Sequence, residues 1–363
     1  MDKKDCIVIA AGGTGGHVFP SIGLANYLKN DYDIEIYTDE RGIKYFKKYN
    51  NLKVKTITSS RILNKNIIYF IIGIIKVLIS IIFSMTLLIK CKPKLIIGMG
   101  GYSSFPVCLS GFFLKIPIII YENNLVLGRA NKILLPISKK ILVSTSSIRG
   151  IDKKYKNKIN HIGYLLRENI FGAKHGNLEV TENNLSILII GGSQSAKVFG
   201  EQIPKVIKEC NNKGIKFNVY QQCLESQKQD IQNIYDKLNI KFELFSFCDD
   251  LLKYYQKSDI AITRCGASSI AELINTRVPF IAIPLPSSVD NHQSENAKYF
   301  NEKSYCFLLD QKFILSKLFD ILQDTHRDRK KLYSFKQKMS QHSDKETLMK
   351  AKQIIEECLN GKI

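Results

Sequence analysis

The chain has 363 residues, of which 45 % are hydrophobic and 24 % charged, the composition of a globular protein with room for two domains. Its formal net charge of +20 partly reflects enrichment in Lys, Ile and Asn, and it also favours anionic lipid headgroups or phosphorylated substrates. There is no nucleic-acid-binding module and the nine cysteines contain no C-x-x-C pair, which argues against nucleic-acid partners, a zinc site and a disulfide framework.

The first structural signal is an apolar strand that runs directly into the glycine turn GGTGGH at residues 12–17. A helix is predicted near 18–29, with Pro20 in its first turn, where proline is well tolerated. Glycine lets the backbone turn tightly, and the N–H groups that begin a helix bind anions, most often phosphate. The dinucleotide motif G-x-G-x-x-G fails because Val18 stands at its third glycine. An NAD enzyme with Asp39 on the ribose therefore remains only an alternative.

His17 lies where this glycine turn becomes a helix. A histidine at such a position is a candidate general base, or a donor to a substrate oxygen. The sequence leaves open the alternative that His17 only braces the loop.

Residues 67–89 form an apolar run long enough to cross a bilayer. At helical spacing the run carries one narrow stripe of small or charged residues, namely Gly73, Lys76, Ser80 and Ser84. Glycine turns lie before and after the run, at 12–16 and 98–101, and a span would place them on opposite faces of the membrane. We therefore predict a surface helix in peripheral contact with lipid, with a buried helix and a true span as alternatives. Lysines that could meet anionic headgroups flank the run: Lys65, Lys90, Lys92 and Lys94.

Strands and helices alternate along the rest of the chain. Apolar strands at 95–98, 117–121 and 141–144 are each followed by a turn or a helix, and the same order restarts at 185. This alternation predicts an α/β fold with doubly wound parallel sheets, whose ligands bind at the carboxyl ends of the strands.

The polar segment 151–184 separates two such halves. We place the domain junction near residue 165, which gives an N-terminal domain of 1–165 and a C-terminal domain of 166–343. A terminal helix at 344–358 is expected to pack back on the first domain.

The second half carries its own candidate anion site. A strand at 187–190 enters the turn Gly191-Gly192-Ser193, which offers N–H groups and a hydroxyl to a diphosphate. Farther on, the segment 264–273 (RCGASSIAEL) opens a helix with small residues, and Glu272 is placed to accept two ribose hydroxyls. A polar cluster at 290–296 is predicted to reach the sugar in the same cleft. A plain strand–helix turn and a solvated carboxylate are the alternatives.

Together these motifs resemble those of the MurG family over essentially the whole chain. The motifs are GGTGGHVFP, GMGGY, the E-x-N turn at 122–124, GGSQ, GASSIAEL and D-x-x-Q-x-x-NA. Members of that family are membrane-associated transferases that move N-acetylglucosamine from UDP-N-acetylglucosamine to lipid I, forming lipid II for peptidoglycan. The resemblance implies the GT-B glycosyltransferase fold, with two Rossmann-like domains facing a central cleft. It also implies inverting transfer to the C4 hydroxyl of the N-acetylmuramic acid of lipid I, with no metal and no cofactor.

The resemblance further implies where the partners bind. Domain 1–165 is expected to hold lipid I and to contact anionic lipids of the cytoplasmic membrane, and domain 166–343 is expected to hold UDP-N-acetylglucosamine. Because no signal-peptide segment precedes the first strand, we expect a peripheral protein on the cytoplasmic face of the inner membrane. A cell-wall synthesis complex is a further candidate partner.

The resemblance also carries roles to individual residues. His17 and Glu122 are the candidates for activating the acceptor hydroxyl. Thr14, Gly15 and Gly16 are expected at the cleft floor, by the sugar and phosphates. The other expected substrate contacts are Asn124 at the donor sugar, Arg167 at the linker, Ser193 at the diphosphate, the backbone of Cys248 at the uracil, Ala267, Ser268, Ser269, Ile270, Ala271 and Glu272 at phosphate and ribose, and Gln293 at sugar hydroxyls.

The chain departs from the family pattern in places, including Tyr121 and Asn123 where a histidine and a glutamine are usual. These changes affect details of the acceptor site rather than the class of enzyme. The remaining alternatives are a glycosyltransferase that uses diacylglycerol, a UDP-sugar epimerase, and a non-catalytic protein that binds UDP-sugar or lipid within a cell-wall complex.

Overall fold

The protein is described here by a computed structural model, which covers residues 4–58, 67–172, 184–192, 196–246, 248 and 250–361. The chain divides into two units. Unit 1 consists of Met1–Arg167 together with Asp344–Ile363, and unit 2 consists of Glu168–Ser343. Unit 1 is therefore built from two separated pieces of the chain.

Within the described residues, thirteen strands form two sheets. The strands are β1 Cys6–Ala10, β2 Asp33–Thr38, β3 Lys53–Thr56, β4 Leu95–Gly98, β5 Ile118–Glu122, β6 Lys140–Val143, β7 Ile159–His161, β8 Leu185–Ile190, β9 Phe217–Gln222, β10 Phe242–Phe245, β11 Ile260–Thr263, β12 Phe280–Ala282 and β13 Cys306–Leu308.

Helices connect these strands. They are α1 Gly15–Leu28, α2 Glu40–Phe46, α3 Ile67–Cys91, α4 Ser104–Phe113, α5 Arg129–Leu134, α6 Glu168–Phe171, α7 Ala196–Asn212, α8 Glu225–Lys237, α9 Leu252–Tyr255, α10 Ala267–Asn275, α11 His292–Glu302, α12 Ile314–Arg327, α13 Lys330–Met339 and α14 Thr347–Leu359. Short 3-10 helices lie at Lys153–Lys158, Val289–Asn291 and Gln311–Phe313.

Both sheets are parallel and doubly wound. The order is β3-β2-β1-β4-β5-β6-β7 in unit 1 and β10-β9-β8-β11-β12-β13 in unit 2. In each sheet the strand order reverses beside the first strand, between β1 and β4 and between β8 and β11. Ligands of such sheets bind beyond the carboxyl ends of the strands at this reversal. The predicted α/β fold of two Rossmann-like sheets is confirmed.

The strands are apolar because each sheet is covered on both faces. Every residue of β8 (LSILII) is buried, as expected for a strand of a parallel sheet between helical layers. On one face of the unit 2 sheet, α7 and α12 contribute Phe199, Ile203, Leu318 and Leu322 to a continuous core. These rigid sheets fix the positions of the turns that leave their carboxyl edges.

Helix α1 begins at Gly15, three residues earlier than predicted, so Pro20 is its sixth residue rather than part of its first turn. A proline there cannot donate to the carbonyl four residues earlier, which belongs to Gly16. The side-chain Nδ2 of Asn123 donates to that carbonyl at 2.8 Å. Asn123, which is distant in sequence, therefore replaces the hydrogen bond to the Gly16 carbonyl that Pro20 cannot make. The helix continues through the proline.

Helix α3 buries small residues together with Val77, Ile81 and Leu88, and exposes most of its other large apolar side chains. Gly73, Ser80 and Ser84 are buried, whereas Lys76, which the sequence pattern grouped with them, is exposed at the rim of this face. Ser80 Oγ donates to the carbonyl of Thr58, and Ser110 Oγ of α4 donates to the carbonyl of Ile81 at 2.9 Å. The exposed apolar residues are Ile68, Ile71, Ile72, Ile74, Ile75, Leu78, Ile79, Ile82, Phe83 and Ile89.

The segment Ile71–Cys91 is long and apolar enough to cross a membrane, and 28 % of its most apolar stretch is buried. This exposure excludes the alternative of a fully buried helix. The strands before and after α3, which are β3 and β4, belong to one sheet, in which β2 and β1 lie between them. Both ends of the helix therefore lie in unit 1.

Helix α14 completes the core of unit 1. Its buried side chains, Leu348, Ala351, Ile355 and Cys358, belong to the same apolar cluster as residues of β1 and α1. The segment before the helix is pinned to the end of the first piece of the chain: Asp344 Oδ1 accepts from the amide of Tyr164 at 2.9 Å, and Thr347 Oγ1 donates to the carbonyl of Ile162 at 2.9 Å. The C-terminal residues are thus an integral part of unit 1.

Candidate active site

The glycine turn after β1 is held in place by Asp39, whose side chain is 4 % exposed. Asp39 Oδ1 accepts from the amides of Gly13 at 3.2 Å, Arg41 at 3.0 Å and Gly42 at 2.9 Å. Arg41 Nη2 donates to Asp39 Oδ2 at 2.6 Å. The carboxylate considered for an NAD ribose is therefore engaged with the turn and with the start of α2, which removes the basis for that alternative.

The glycine turns after β1 and β4 touch, and the His17 ring lies against the second turn. A Cβ at Gly12 would come within 1.4 Å of Ser103 Oγ, and one at Gly101 within 2.8 Å of the Gly12 carbonyl oxygen. Gly100 has φ +88°, and a Cβ there would lie 3.0 Å from Cε1 and Nδ1 of His17. The absence of side chains at these glycines lets the imidazole lie at the carboxyl edge of β1 and β4.

Glu122 ends β5 and is 3 % exposed. Its Oε1 accepts from the amide and from Nδ2 of Asn124, at 3.0 and 3.1 Å. Its Oε2 accepts from the amide of Gly128 at 2.8 Å and from Asn131 Nδ2 at 3.0 Å. A carboxylate has about four acceptor sites, and these four bonds use that capacity to hold the loop 123–131. Of the two candidate bases, the geometry therefore favours His17.

The start of α1 brings several predicted residues together. Thr14 precedes the helix in an extended conformation, and its carbonyl accepts from the amides of His17 and Val18 at 3.0 and 3.2 Å. Gly15 opens the helix, where backbone N–H groups face outward. The guanidinium carbon of Arg167 lies 4.9 Å from the centre of the Phe19 ring of α1. Arg167 is thus placed in unit 1, beside the glycine turn.

In unit 2, the predicted segment 267–272 forms the first part of α10. Gly266 precedes the helix with extended backbone angles of φ −69° and ψ 134°, so the amides of 267–269 begin the helix beyond the end of β11. The amide of Ile270 already donates to the Gly266 carbonyl at 3.1 Å, and the side chains of Ile270 and Ala271 are fully buried. The first three residues are therefore those that can meet an anion, and the next two pack the core.

Glu272 is 5 % exposed, and its Oε2 accepts from the hydroxyl of Tyr255 in α9 at 2.9 Å. This bond orients the carboxylate assigned to the ribose. Cys248 lies shortly before α9, and its Sγ donates to the carbonyl of Asp250 at 3.2 Å. Its predicted contact with uracil uses the backbone and is independent of this thiol bond.

Gln293 joins the turns after β11 and β12, and Asn296 bonds to the first of these turns. Gln293 Oε1 accepts from the amides of Cys265 at 3.2 Å and Leu285 at 2.9 Å. Asn296 Nδ2 donates to the Cys265 carbonyl at 3.0 Å. The bonds of Gln293 use its carbonyl oxygen, so its Nε2 is the group that can donate to a sugar hydroxyl.

The turn after β8 is tied to the neighbouring strand. The amide of Gly192 donates to Gln222 Oε1 at 2.9 Å, and Gln222 Nε2 donates to the carbonyl of Ser246 at 3.2 Å. Gln222 thereby links the predicted diphosphate turn to the segment that leads to Cys248. Ser193, predicted to meet the diphosphate, lies outside the described residues.

Sequence reasoning missed the side chains that hold these turns. Asn123 bonds to the start of α1, and Gln222 links two turns of unit 2. Each is a polar residue at the carboxyl end of a parallel strand, and that position was a readable signal. The identity of the bonded partner was not readable, because it depends on which strands are neighbours.

Two family models match successive parts of the chain. The Glycosyltransferase family 28 N-terminal domain matches residues 7–143, and the Glycosyltransferase family 28 C-terminal domain matches residues 186–357. The second match extends into α14, the helix that lies in unit 1.

Curated relatives are similar over most of their length. The chain is 38 % identical over 344 residues to the UDP-N-acetylglucosamine--N-acetylmuramyl-(pentapeptide) pyrophosphoryl-undecaprenol N-acetylglucosamine transferase of Pelagibacter ubique, a match that covers 93 % of each chain. It is 37 % identical over 317 residues to the protein of the same name from Rickettsia felis, covering 85 % of this chain and 87 % of that one.

Among solved structures, the crystal structure of Acinetobacter baumannii MurG matches with a TM-score of 0.76 and 25 % identity, covering 98 % of this chain and 99 % of that one. A UDP co-structure of Staphylococcus aureus MnaA matches with a TM-score of 0.71 at 14 % identity, which shows the fold alone. With the two parallel sheets, these similarities confirm the GT-B fold class expected from the sequence.

Proposed function

The chain belongs to glycosyltransferase family 28, and we propose that it transfers N-acetylglucosamine from UDP-N-acetylglucosamine to the C4 hydroxyl of the N-acetylmuramic acid of lipid I. The product is lipid II for peptidoglycan, formed with inversion at the anomeric carbon. The observation that carries the proposal is 38 % identity, over 93 % of the chain, to an enzyme named for this transfer. The same match weighs against the diacylglycerol transferase and the UDP-sugar epimerase.

In this proposal unit 1 holds the acceptor and His17 is the general base. The imidazole lies at the carboxyl edge of β1 and β4, against the turn that contains Gly100. It takes the proton from the acceptor hydroxyl as that oxygen attacks the anomeric carbon. Thr14, Gly15 and Gly16 place the adjoining backbone near the sugar and phosphates, and Asn124, oriented by Glu122, contacts the transferred sugar.

Unit 2 holds the donor in the same proposal. The leaving UDP gains negative charge in the transition state, and backbone amides at the starts of α7 and α10 stabilise that charge. Ser193 adds a hydroxyl to the diphosphate, and Arg167, the last residue of the first piece of unit 1, is the proposed cation. Glu272 accepts from the ribose, the backbone of Cys248 reads the uracil, and Gln293 Nε2 donates to a sugar hydroxyl.

We further propose that the protein binds peripherally to the cytoplasmic face of the inner membrane. The outer face of α3 is a continuous apolar surface, and the exposed lysines Lys90, Lys92 and Lys94 follow it. Both ends of α3 lie in unit 1, and serine hydrogen bonds attach its middle to the rest of that unit. These contacts favour a helix lying in the headgroup region, where the lipid-borne acceptor is found, over a span.

The proposal is tested with purified full-length protein and radiolabelled UDP-N-acetylglucosamine. Three reactions are compared, with lipid I, with diacylglycerol and without acceptor. We expect label to enter a lipid product only with lipid I, as the β-linked disaccharide. Transfer to diacylglycerol, or donor binding with no turnover on lipid I, would contradict the proposal.

A further inference from the structure

Arg264 is a buried cation whose hydrogen-bond partners are all neutral. It directly follows β11 and is 6 % exposed. Its Nη1 donates to the carbonyls of Ile283 at 3.1 Å and Pro284 at 3.2 Å, and its Nη2 donates to Gln311 Oε1 at 2.6 Å. Nε makes no hydrogen bond and no carboxylate forms an ion pair with the guanidinium, as far as the described residues go.

Such a charge is costly to bury. Moving a cation out of water without a counter-charge is strongly unfavourable, and a protein core avoids it unless the charge has a use. Burial lowers the pKa of the Arg264 guanidinium to about 10, because desolvation penalises its charged form. The group is nevertheless protonated near neutral pH, so unit 2 keeps a positive charge in its interior.

The position of this charge indicates its use. The guanidinium carbon lies 4.5 Å from the centre of the ring of Phe199, in the first turn of α7. Arg264 also lies two residues before Gly266, which precedes α10, and its acceptor carbonyls of Ile283 and Pro284 follow β12. The charge therefore lies at the carboxyl edge of the sheet, next to both helix starts assigned above to the donor diphosphate.

We propose that Arg264 is an electrostatic positioning residue for the donor diphosphate. Its charge, acting through the low-dielectric interior, adds to the positive ends of α7 and α10 without touching the ligand. The diphosphate supplies the negative charge that the described residues around Arg264 lack. This inference rests on the proposed function, because it takes unit 2 to bind a nucleoside diphosphate.

The experiment compares a charged ligand with its neutral counterpart on the full chain. Affinities for UDP and for uridine are measured by titration calorimetry for the wild type and for Arg264→Gln, Arg264→Lys and Arg277→Gln. We expect Arg264→Gln to weaken UDP roughly tenfold, as for unit charges about 10 Å apart at an effective dielectric near 20, and to leave uridine within about twofold. Arg264→Lys keeps the charge and should keep the preference for UDP.

Arg277→Gln is the matched control, since it removes the same charge just beyond the opposite end of α10. It should change neither affinity. Equal weakening of UDP and uridine by Arg264→Gln would show a merely structural role, and an unchanged UDP affinity would show no role. Loss of the UDP preference in Arg264→Lys near neutral pH would show that the hydrogen bonds matter rather than the charge. Each of these three results overturns the inference.

Circular dichroism checks that each variant folds. Should Arg264→Gln fail to fold, Arg264→Lys is titrated from about pH 7 to about pH 9, where a buried lysine loses its proton and Arg264, with its pKa of about 10, still carries most of its charge. Its preference for UDP should then fall while that of the wild type persists, and a preference that does not change overturns the inference. A wild-type protein that binds neither ligand contradicts the proposed function itself and not the role of Arg264.

Discussion

At the residue scale, the two candidate bases stand in different surroundings. The carboxylate of Glu122 accepts four hydrogen bonds from its own loop, two of them from backbone amides. These four donors occupy the acceptor sites of the carboxylate, which is about the number that a carboxylate has. The His17 ring, by contrast, lies against the glycine turn that contains Gly100 and Gly101. In the proposed reaction we therefore assign the base to His17, whereas Glu122 holds its loop.

We expect His17→Ala to lower kcat by about 10²- to 10⁴-fold, the usual contribution of a general base, with much less change in the KM for UDP-N-acetylglucosamine. The reason is that His17 lies in unit 1, on the acceptor side of the proposed reaction. Steady-state kinetics with lipid I and varied donor measure both quantities. A proportionate rise in the donor KM would instead make His17 a binding residue.

We expect Glu122→Gln to reduce the free energy of unfolding of unit 1 by about 1–3 kcal/mol, because the new NH₂ group faces a donor and leaves it unsatisfied. Urea denaturation measures the loss. Glu40→Gln, at an exposed position of α2, is the control and should change stability by about 0.5 kcal/mol or less. If Glu122→Gln were as stable as the wild type and lost turnover with lipid I by about 10²-fold or more, Glu122 would be the base.

At the scale of elements, the hydrophobic pattern of the sequence predicted those strands whose position depends only on neighbouring residues. The strands near 7–11 and 95–98 were readable because a parallel strand covered on both faces is a continuous apolar run; they are Cys6–Ala10 and Leu95–Gly98 in the structure. The start of α1 was misplaced because the carbonyl left by Pro20 is satisfied by Asn123, 107 residues away. Contacts at such separation depend on strand order and leave no local trace.

The same limit applies to the candidate site. Glycines, serines and acids at the ends of strands could be predicted as anion and sugar ligands, because chemistry restricts which residue types serve there. The hydrogen bonds that orient them, such as Gln222 to Gly192 and Gln293 to Leu285, join different strands. Their partners could be named only once the sheet order was known.

Helix α3 leads to a prediction about membrane binding. Ile79 and Ile82 are 55 % and 64 % exposed on its outer face. Replacing both by Gln should weaken binding to anionic vesicles by about 10-fold or more, because each buried isoleucine contributes roughly 1.5–3 kcal/mol to partition. Vesicle sedimentation measures the change.

The control for this experiment is Leu315→Gln, which alters a side chain of unit 2 that is 51 % exposed. It should leave vesicle binding unchanged, and circular dichroism should show all variants folded. Equal binding by the α3 double variant and the wild type would mean that the outer face of α3 does not meet lipid.

At the scale of the whole molecule, the chain passes from unit 1 to unit 2 after Arg167 and returns at Asp344. The return is anchored within unit 1, where Asp344 and Thr347 bond to the backbone of Tyr164 and Ile162. The segment by which the chain leaves unit 1 and the segment by which it returns are therefore hydrogen-bonded to each other within unit 1. Because α14 supplies core side chains there, unit 1 cannot complete its core until residues Thr347–Leu359 have been synthesised.

This discontinuity predicts that a substitution near the C-terminus destabilises the unit that begins at the N-terminus. Ile355 of α14 is fully buried in the core of unit 1, whereas Met349 of the same helix is 54 % exposed. Ile355→Ala should lower the free energy of unfolding of unit 1 by about 2–5 kcal/mol, through lost burial and the cavity left behind. Met349→Ala should change it by about 0.5 kcal/mol or less.

UDP affinity, a property of unit 2 in the proposed function, should be the same in both variants under native conditions. Urea denaturation followed by circular dichroism, with UDP titration on the same samples, separates the two effects; equal stability of the two variants would mean that α14 contributes no core to unit 1.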